Sequence, residues 1–319
     1  MLKYIIKRLL WLIPIILCVS FIIYGLLDLA PGSVVDSMIS ENMTQEDIDR
    51  LRAEYDLDKP MIYRYGKYML HLVQGDLGVS DVTHISVWDT YISRLPATLL
   101  LSFAALVIGV ALSIPLGIFA AKRAGTIWDT LTTGFTLIGL SMPSFWLGLL
   151  LIIAFSYKLH IFPAGGGGGI MSFILPAICS GLMMTATATR QTRSAMLENI
   201  RADYLRTARA KGVPERDVIN RHALRNAWIP IITTIGNTLS RTLAGSAVVE
   251  SVFSWPGVGR LTVEAVGQRD VTLACGCVIM TTILYVFLLL IVDLLYAFVD
   301  PRIKSKYTAG SRRRRKVTA

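Results

Sequence analysis

Inside an apolar stretch of this 319-residue chain, Asn237, Ser240 and Arg241 are the polar groups best placed for chemistry. A charged side chain at membrane depth is costly and normally turns toward protein or water. Asn237 and Arg241 are four residues apart, so a helix sets them on one face, where an amide and a guanidinium can meet a carboxylate together. One reading makes this face the wall of a solute path, with Arg241 receiving anionic ends. In the other, Arg241 pairs with a partner subunit or with Glu250. Asp293 is a second costly acid in an apolar run and is expected to pair with a neighbouring helix.

Catalytic constellations are absent. His71, His84, His160 and His222 are far apart and carry no metal-ligand spacing. All four cysteines, Cys18, Cys179, Cys275 and Cys277, fall in apolar runs, where cysteine behaves as a small hydrophobe. Cys275 and Cys277 point about 200° apart on a helix, which disfavours joint chelation. No G-x-x-x-x-G-K-[ST] occurs; the run Gly165 to Gly169 is followed by Ile170 and Met171 and reads as a flexible external loop. The chain is therefore expected not to hydrolyse ATP, to hold no metal and to carry no cofactor of its own. An intramembrane enzyme would need paired catalytic groups at matched depth, and none is found.

The elements that must carry the polar groups are membrane helices. A composition 53% hydrophobic, with a mean hydropathy of +0.55, exceeds what one soluble core with a solvated surface accommodates. Six apolar runs, at about 9–29, 97–121, 131–157, 173–189, 229–249 and 273–299, are long enough to cross a hydrocarbon core of about 30 Å as helices. They are continuous rather than alternating, which favours helices over a barrel. The expected fold is an all-α, six-helix membrane bundle. Lys3, Lys7 and Arg8 precede the first run as in a signal peptide, but that run is too long and lacks a small-x-small site, so it reads as an uncleaved helix. Pro115, Pro143 and Pro230 lie in or beside apolar runs and are candidate kinks.

The net charge of +10 is spread through short loops between apolar runs, which argues against nucleic acid and for a bilayer. Segments 1–8, 122–130, 190–228 and 300–319 hold 22 of the 32 basic residues. Both termini are thus expected in the cytoplasm, with 30–96 outside. The division that follows is 1–29 (cytoplasmic end and first helix), 30–96 (extracytoplasmic helical cap), 97–299 (core helices) and 300–319 (a basic, lipid-attracted tail). Within the cap, Thr44 with Asp47 reads as a capping box opening a helix to about Tyr55, and Tyr63–Val73 has helical spacing. The cap is read as packing or as a dock for an external binding protein.

Segment 190–228 is the most informative stretch. Tyr204–Lys211 predicts a short helix, Gly212 its left-handed terminator, and Pro214 the first turn of another helix, with Glu215 and Asp217 at its positive end. The run Asp203-Tyr204-Leu205-Arg206-Thr207-Ala208-Arg209-Ala210-Lys211-Gly212, followed by His222-Ala223-Leu224-Arg225-Asn226-Ala227, resembles the coupling loop of ABC-type importer permeases. More narrowly it resembles their dipeptide, oligopeptide and nickel branch. The general consensus has Glu-Ala-Ala where this chain has Arg206-Thr207-Ala208, and Ile-x-Leu-Pro where it has His222-Ala223-Leu224-Arg225. Only Ala208, Gly212 and Leu224 match, a departure that fits the branch.

Four further stretches support the resemblance, which runs from residue 1 to about 303: Arg94-Leu95-Pro96-Ala97-Thr98, Ser141-Met142-Pro143-Ser144-Phe145-Trp146, Phe253-Ser254-Trp255-Pro256-Gly257-Val258-Gly259-Arg260 and Asp300-Pro301-Arg302. It implies that Tyr204, Arg206, Thr207, Ala208, Arg209, Ala210, Lys211, Gly212 and Glu215 contact a cytoplasmic ATPase. Ser141, Met142, Asn237, Ser240 and Arg241 are the candidates for the translocation path. It also implies a homologous second permease, two ATPase subunits that bind ATP and Mg, and an extracytoplasmic solute-binding protein. Short peptides are the expected solute, with nickel or a chelated metal as the alternative within the branch. The rival of another class, an ATP-independent channel or carrier, would not need segment 190–228.

Overall fold

A computed structural model gives the architecture and describes residues 2–39, 43–166 and 169–299. In chain order the helices are α1 (Leu2–Leu29), α2 (Val34–Met38), α3 (Gln45–Glu54), α4 (Met61–Val73), α5 (Val87–Lys122), α6 (Ile127–Ser141), α7 (Ser144–Leu151, continued as a π-helical turn Ile152–Lys158) and α8 (Ile170–Ile200). They continue with α9 (Asp203–Ala210), α10 (Glu215–Asp217, continued by a π-helical turn Val218–Ala223), α11 (Leu224–Gly245), α12 (Ala247–Val252), α13 (Val258–Gly267) and α14 (Val271–Val299). The protein is an all-α membrane bundle.

Among the described residues, four helices are long and apolar enough to span a membrane: Ile5–Leu29, Val87–Lys122, Ile170–Ile200 and Val271–Leu294. A fifth span exists if the pair Ile127–Ser141 and Ser144–Lys158, bent by 103°, counts as one. The expected third run is therefore broken rather than straight. The break falls at Met142-Pro143, where Met142 is extended and Pro143 caps α7; proline cannot donate its backbone N–H and restricts the residue before it. Pro115 and Pro230 lie inside continuous helices instead. The fifth expected run, 229–249, corresponds to α11, which is not among the described spans that meet the length and hydropathy requirement, whereas the sixth is α14, which is.

Two boundaries move. The second apolar run begins at Val87 rather than near 97, because Ser86 caps the helix through the Asp89 N–H and Pro96 is accommodated within it. Segment 190–228 is no free loop: its first eleven residues complete α8, and most of the rest is α9, α10 and the start of α11. In the cap, α3 and α4 lie where the sequence places them, and Thr44 and Asp47 form the reciprocal cap.

The ends of the bundle are closed by ion pairs and small residues. Arg8 of α1 pairs with Asp293 of α14, which fulfils the structural expectation for that acid. Arg64 of α4 pairs with Asp28, tying cap to first helix. Arg193 of α8 makes two bonds to Asp129 of α6, at 2.5 and 2.7 Å. Between the longest neighbours, α5 and α8, Gly109 lies against Met184, Gly117 against Thr192 and Gly181 against Ile108, so backbones approach as small residues allow in lipid.

Candidate functional site

Two regions qualify, one at the base of the bundle and one in its wall. At the base, α9 presents a strongly two-faced surface. Leu205 is fully buried in a core with Met196, Val218, Ile219, Ala223, Ala227 and Ile231, and Ala208 packs on its edge. Tyr204, Arg206, Thr207, Ala210 and Lys211 face outward. Gly212 follows with φ +76°, and no atom stands within 4 Å of where its Cβ would be, so conformation alone selects glycine there.

Arg209 and Glu215 are paired with each other at the surface. The Arg209 guanidinium donates to both Glu215 oxygens at 2.9 and 2.8 Å, clamping α9 to α10 across the glycine turn. That hydrogen-bonded guanidinium holds the Glu215 carboxyl below the usual carboxylate range. The sequence reading gave Glu215 to a helix dipole; its partner is this side chain. Because α10 runs through the π-helical turn straight into α11, the exposed face of α9 is mounted on the foot of a helix crossing the bundle.

In the wall, a cavity of about 580 Å³ is lined by Ser144, Ser180, Met183, Met184, Thr187, Thr238, Thr242, Ser246, Val249 and Tyr285. Hydroxyls and thioethers dominate, and no lining residue is charged. Thr242 donates to the Thr238 carbonyl at 2.9 Å and Ser246 to Glu250 at 2.6 Å, so both hydroxyls remain available as acceptors.

The predicted path residues are distributed otherwise. Asn237 is exposed, and Ser240 is buried and bonded to the Gly236 carbonyl at 3.0 Å; neither lines the cavity. Thr238, Thr242 and Ser246 do, four residues apart, on a face one position on from that of Asn237. The side chain of Arg241 lies outside the described residues. Glu250, weighed as its partner, accepts from Thr98 and Ser246. Ser141 and Met142 line a separate cavity of about 420 Å³ with Leu137, Ile138, Pro143 and Trp146, at the α6–α7 break. The missed residues carried a signal: hydroxyls at Thr185, Thr187 and Thr189, and at Thr238, Thr242 and Ser246, interrupt apolar helices at regular spacing.

The five-glycine run also differs from a plain flexible loop. The Gly166 N–H donates to the Phe253 carbonyl at 3.1 Å, and a Cβ on Gly165 would stand 2.4 Å from that oxygen. The described part of the run is packed; Gly167 and Gly168 lie outside the described residues, as does the basic tail.

Comparison with known proteins gives a consistent result. Residues 113–305 match the family described as "Binding-protein-dependent transport system inner membrane component", and residues 1–102 match the N-terminal region of such membrane components. The chain is 37% identical to the dipeptide transport system permease protein DppB of Escherichia coli (strain K12), over 96% of this chain and 100% of that protein. It is 39% identical to the oligopeptide transport system permease protein AppB of Bacillus subtilis (strain 168), over 95% and 100%. It is 37% identical to the glutathione transport system permease protein GsiC of Escherichia coli (strain K12), over 96% and 100%. Among solved structures, the MetNI methionine ABC transporter in an inward-facing conformation shares the fold at a TM-score of 0.56 and 18% identity, over 66% of this chain and 96% of that one. An amino acid ABC transporter crystallised with histidines does so at 0.52 and 19%, over 65% and 93%.

Proposed function

This chain belongs to the family of binding-protein-dependent transport system inner membrane components, and from that premise we propose that it is the permease of an ATP-driven peptide importer. A multi-pass permease of the inner membrane supplies a path and no reaction. ATP and Mg are held by two cytoplasmic ATPase subunits, a homologous second permease completes the path, and an extracytoplasmic protein delivers the solute. Both termini lie in the cytoplasm, and the cap of α2–α4 faces outward.

One observation carries this reading: an exposed helix is fixed rigidly to the foot of the helix that lines the wall cavity. Displacement of α9 by an ATPase passes through buried Leu205 and the Arg209–Glu215 clamp into α10 and α11. At the other end of α11 sit Thr242 and, one residue beyond, Ser246, both at the cavity. A passive channel has no use for such a mounting. Tyr204, Arg206, Thr207, Ala210 and Lys211 form the contacting surface. Ala208, Arg209, Gly212 and Glu215 hold it in place.

Relatives named for dipeptide, oligopeptide and glutathione transport favour peptides as the solute over nickel or a chelated metal. An uncharged wall of hydroxyls and thioethers fits that preference, since it can satisfy peptide N–H groups and pass varied side chains without a fixed ion to trap them.

The test is uptake by vesicles containing this permease, its partner and its ATPases, with ATP inside and the binding protein outside, offered labelled di- to pentapeptides or nickel. Peptide uptake that needs ATP is expected. Gly212→Val should abolish it, because a β-branched residue cannot hold that backbone. Arg209→Glu should abolish it too, and adding Glu215→Arg should restore part of it. Nickel uptake instead would overturn the solute, and transport without ATP the whole reading.

A further inference from the structure

Glu250 is fully buried, with 0% exposure. A carboxylate so placed is tolerated only when its oxygens are filled. Its Oε1 accepts from Thr98 Oγ1 at 2.7 Å and Ser246 Oγ at 2.6 Å, and its Oε2 from the Arg260 backbone N–H at 3.0 Å. The Arg260 guanidinium turns away, to Glu264 and the Ser254 carbonyl. Among the described side chains, no cation neutralises the acid; it is held by hydroxyls and a backbone dipole.

The three donors belong to three elements: Thr98 to α5, Ser246 to the joint between α11 and α12, and Arg260 to the first turn of α13. Thr98 also accepts the Val258 N–H at 2.8 Å, and Trp255 Nε1 donates to the Ala97 carbonyl at 3.0 Å. A Cβ on Gly257 would fall 2.3 Å from the Glu250 carboxyl carbon, and one on Gly259 2.5 Å from Ala247 Cα. The segment Trp255–Arg260 is thus shaped to press the start of α13 onto this carboxylate. Ser246 is the shared member, because it also lines the cavity of about 580 Å³. On the other side, a second cavity of about 270 Å³, lined in part by Thr98, Val258, Gly259 and Thr262, leaves space beside α13.

We propose that Glu250 is a positioning residue for import, its carboxylate linking the path wall at Ser246 to α13 at the outer end of the bundle. The link rests on the reading of the larger cavity as part of the path. When α11 shifts or solute draws on Ser246, the carboxylate loses a donor in a place water does not reach. That unfavourable state is relieved when Thr98 and the first turn of α13 move with it, into the adjoining space. The outer end therefore opens and closes in step with the wall.

The assembled importer carrying Glu250→Gln tests this. The amide keeps the volume but must set N–H groups against the Arg260 N–H or the two hydroxyls. The expected result is a complex that assembles and hydrolyses ATP at its basal rate, while the maximal uptake rate falls about tenfold, which corresponds to about 1.4 kcal/mol of barrier height. Half-saturation by the loaded binding protein should stay unchanged. Thr98→Val should reproduce the loss and Thr98→Ser should not, which keeps the test open if the glutamine variant fails to assemble. Adding Ser246→Ala to Glu250→Gln should cost nothing further. Wild-type uptake rates in Glu250→Gln or Thr98→Val, additive losses in the double variant, or basal and stimulated hydrolysis falling in proportion would each overturn the link. A wild-type assembly that takes up no peptide would instead sink the transport reading itself.

Discussion

Asp81, in the turn that ends the cap, accepts from the backbone N–H and the hydroxyl of Thr272 at the start of α14, both at 3.2 Å. Burial, and then the neighbouring Asp270 carboxylate, push its carboxyl up to about 6, against smaller opposing effects of the Thr272 bonds and His84. A carboxyl raised in the folded state holds its proton more tightly there than in the unfolded chain. Its contribution is therefore fully present below its ordinary value and is lost as pH rises through about 6, by about 3 kcal/mol at neutral pH. Asp81→Asn should slow hydrogen exchange in residues 79–86 at pH near 8 and change little at pH near 4. An identical pH dependence in both proteins would show that Asp81 does not control this docking. No spacing in the sequence announces the pair, because Asp81 and Asp270 meet only when the cap reaches the last helix.

At the scale of elements, Gly109, Ser113 and Gly117 form a buried small-residue stripe four apart along α5, with Gly109 and Gly117 against α8. In lipid no solvent drives two apolar helices together, so close approach of backbones does. A Cβ on Gly117 would stand 2.5 Å from Thr192 Cβ and 3.0 Å from the Thr189 carbonyl, neither of which can swing aside, whereas Gly109 faces a flexible Met184. Gly117→Ala should therefore lower the thermal midpoint in detergent, at a cost of roughly 1–3 kcal/mol. Gly109→Ala should cost less, and Gly134→Ala, with nothing within 4 Å, should cost nothing. Equal effects at all three would argue against a fixed α5–α8 contact. The helices themselves were legible as apolar runs with caps, such as Thr44 and Asp47. The bend at Met142-Pro143 was signalled by proline, but proline alone does not separate a break from the tolerated positions of Pro115 and Pro230.

For the whole molecule, the pair of Arg8 and Asp293 joins the first helix to the last. Removing one partner of a sequestered pair strands a charge, at about 3–5 kcal/mol in protein interiors, while replacing both with apolar residues is often neutral. Arg8→Met or Asp293→Leu should each lower the yield of folded, detergent-stable protein, and the double variant should recover most of it. Simply additive losses would mean that the acid and the base act apart.

Hydropathy by itself determined that this is a helical membrane protein, and the motif around Gly212 pointed to the importer-permease family, because these properties are local and need no partner. What only tertiary structure decided is how each helix is turned about its axis. A step of one residue rotates a side chain by about 100°, so whether Asn237 or Thr238 faces the cavity depends on how α11 seats on α8 and α14. The same holds for Leu205 turned inward beneath an exposed Tyr204, for Arg209 clamped on Glu215, and for Glu250 enclosed by Thr98, Ser246 and Arg260. Each is a contact between residues whose neighbours the linear order does not name.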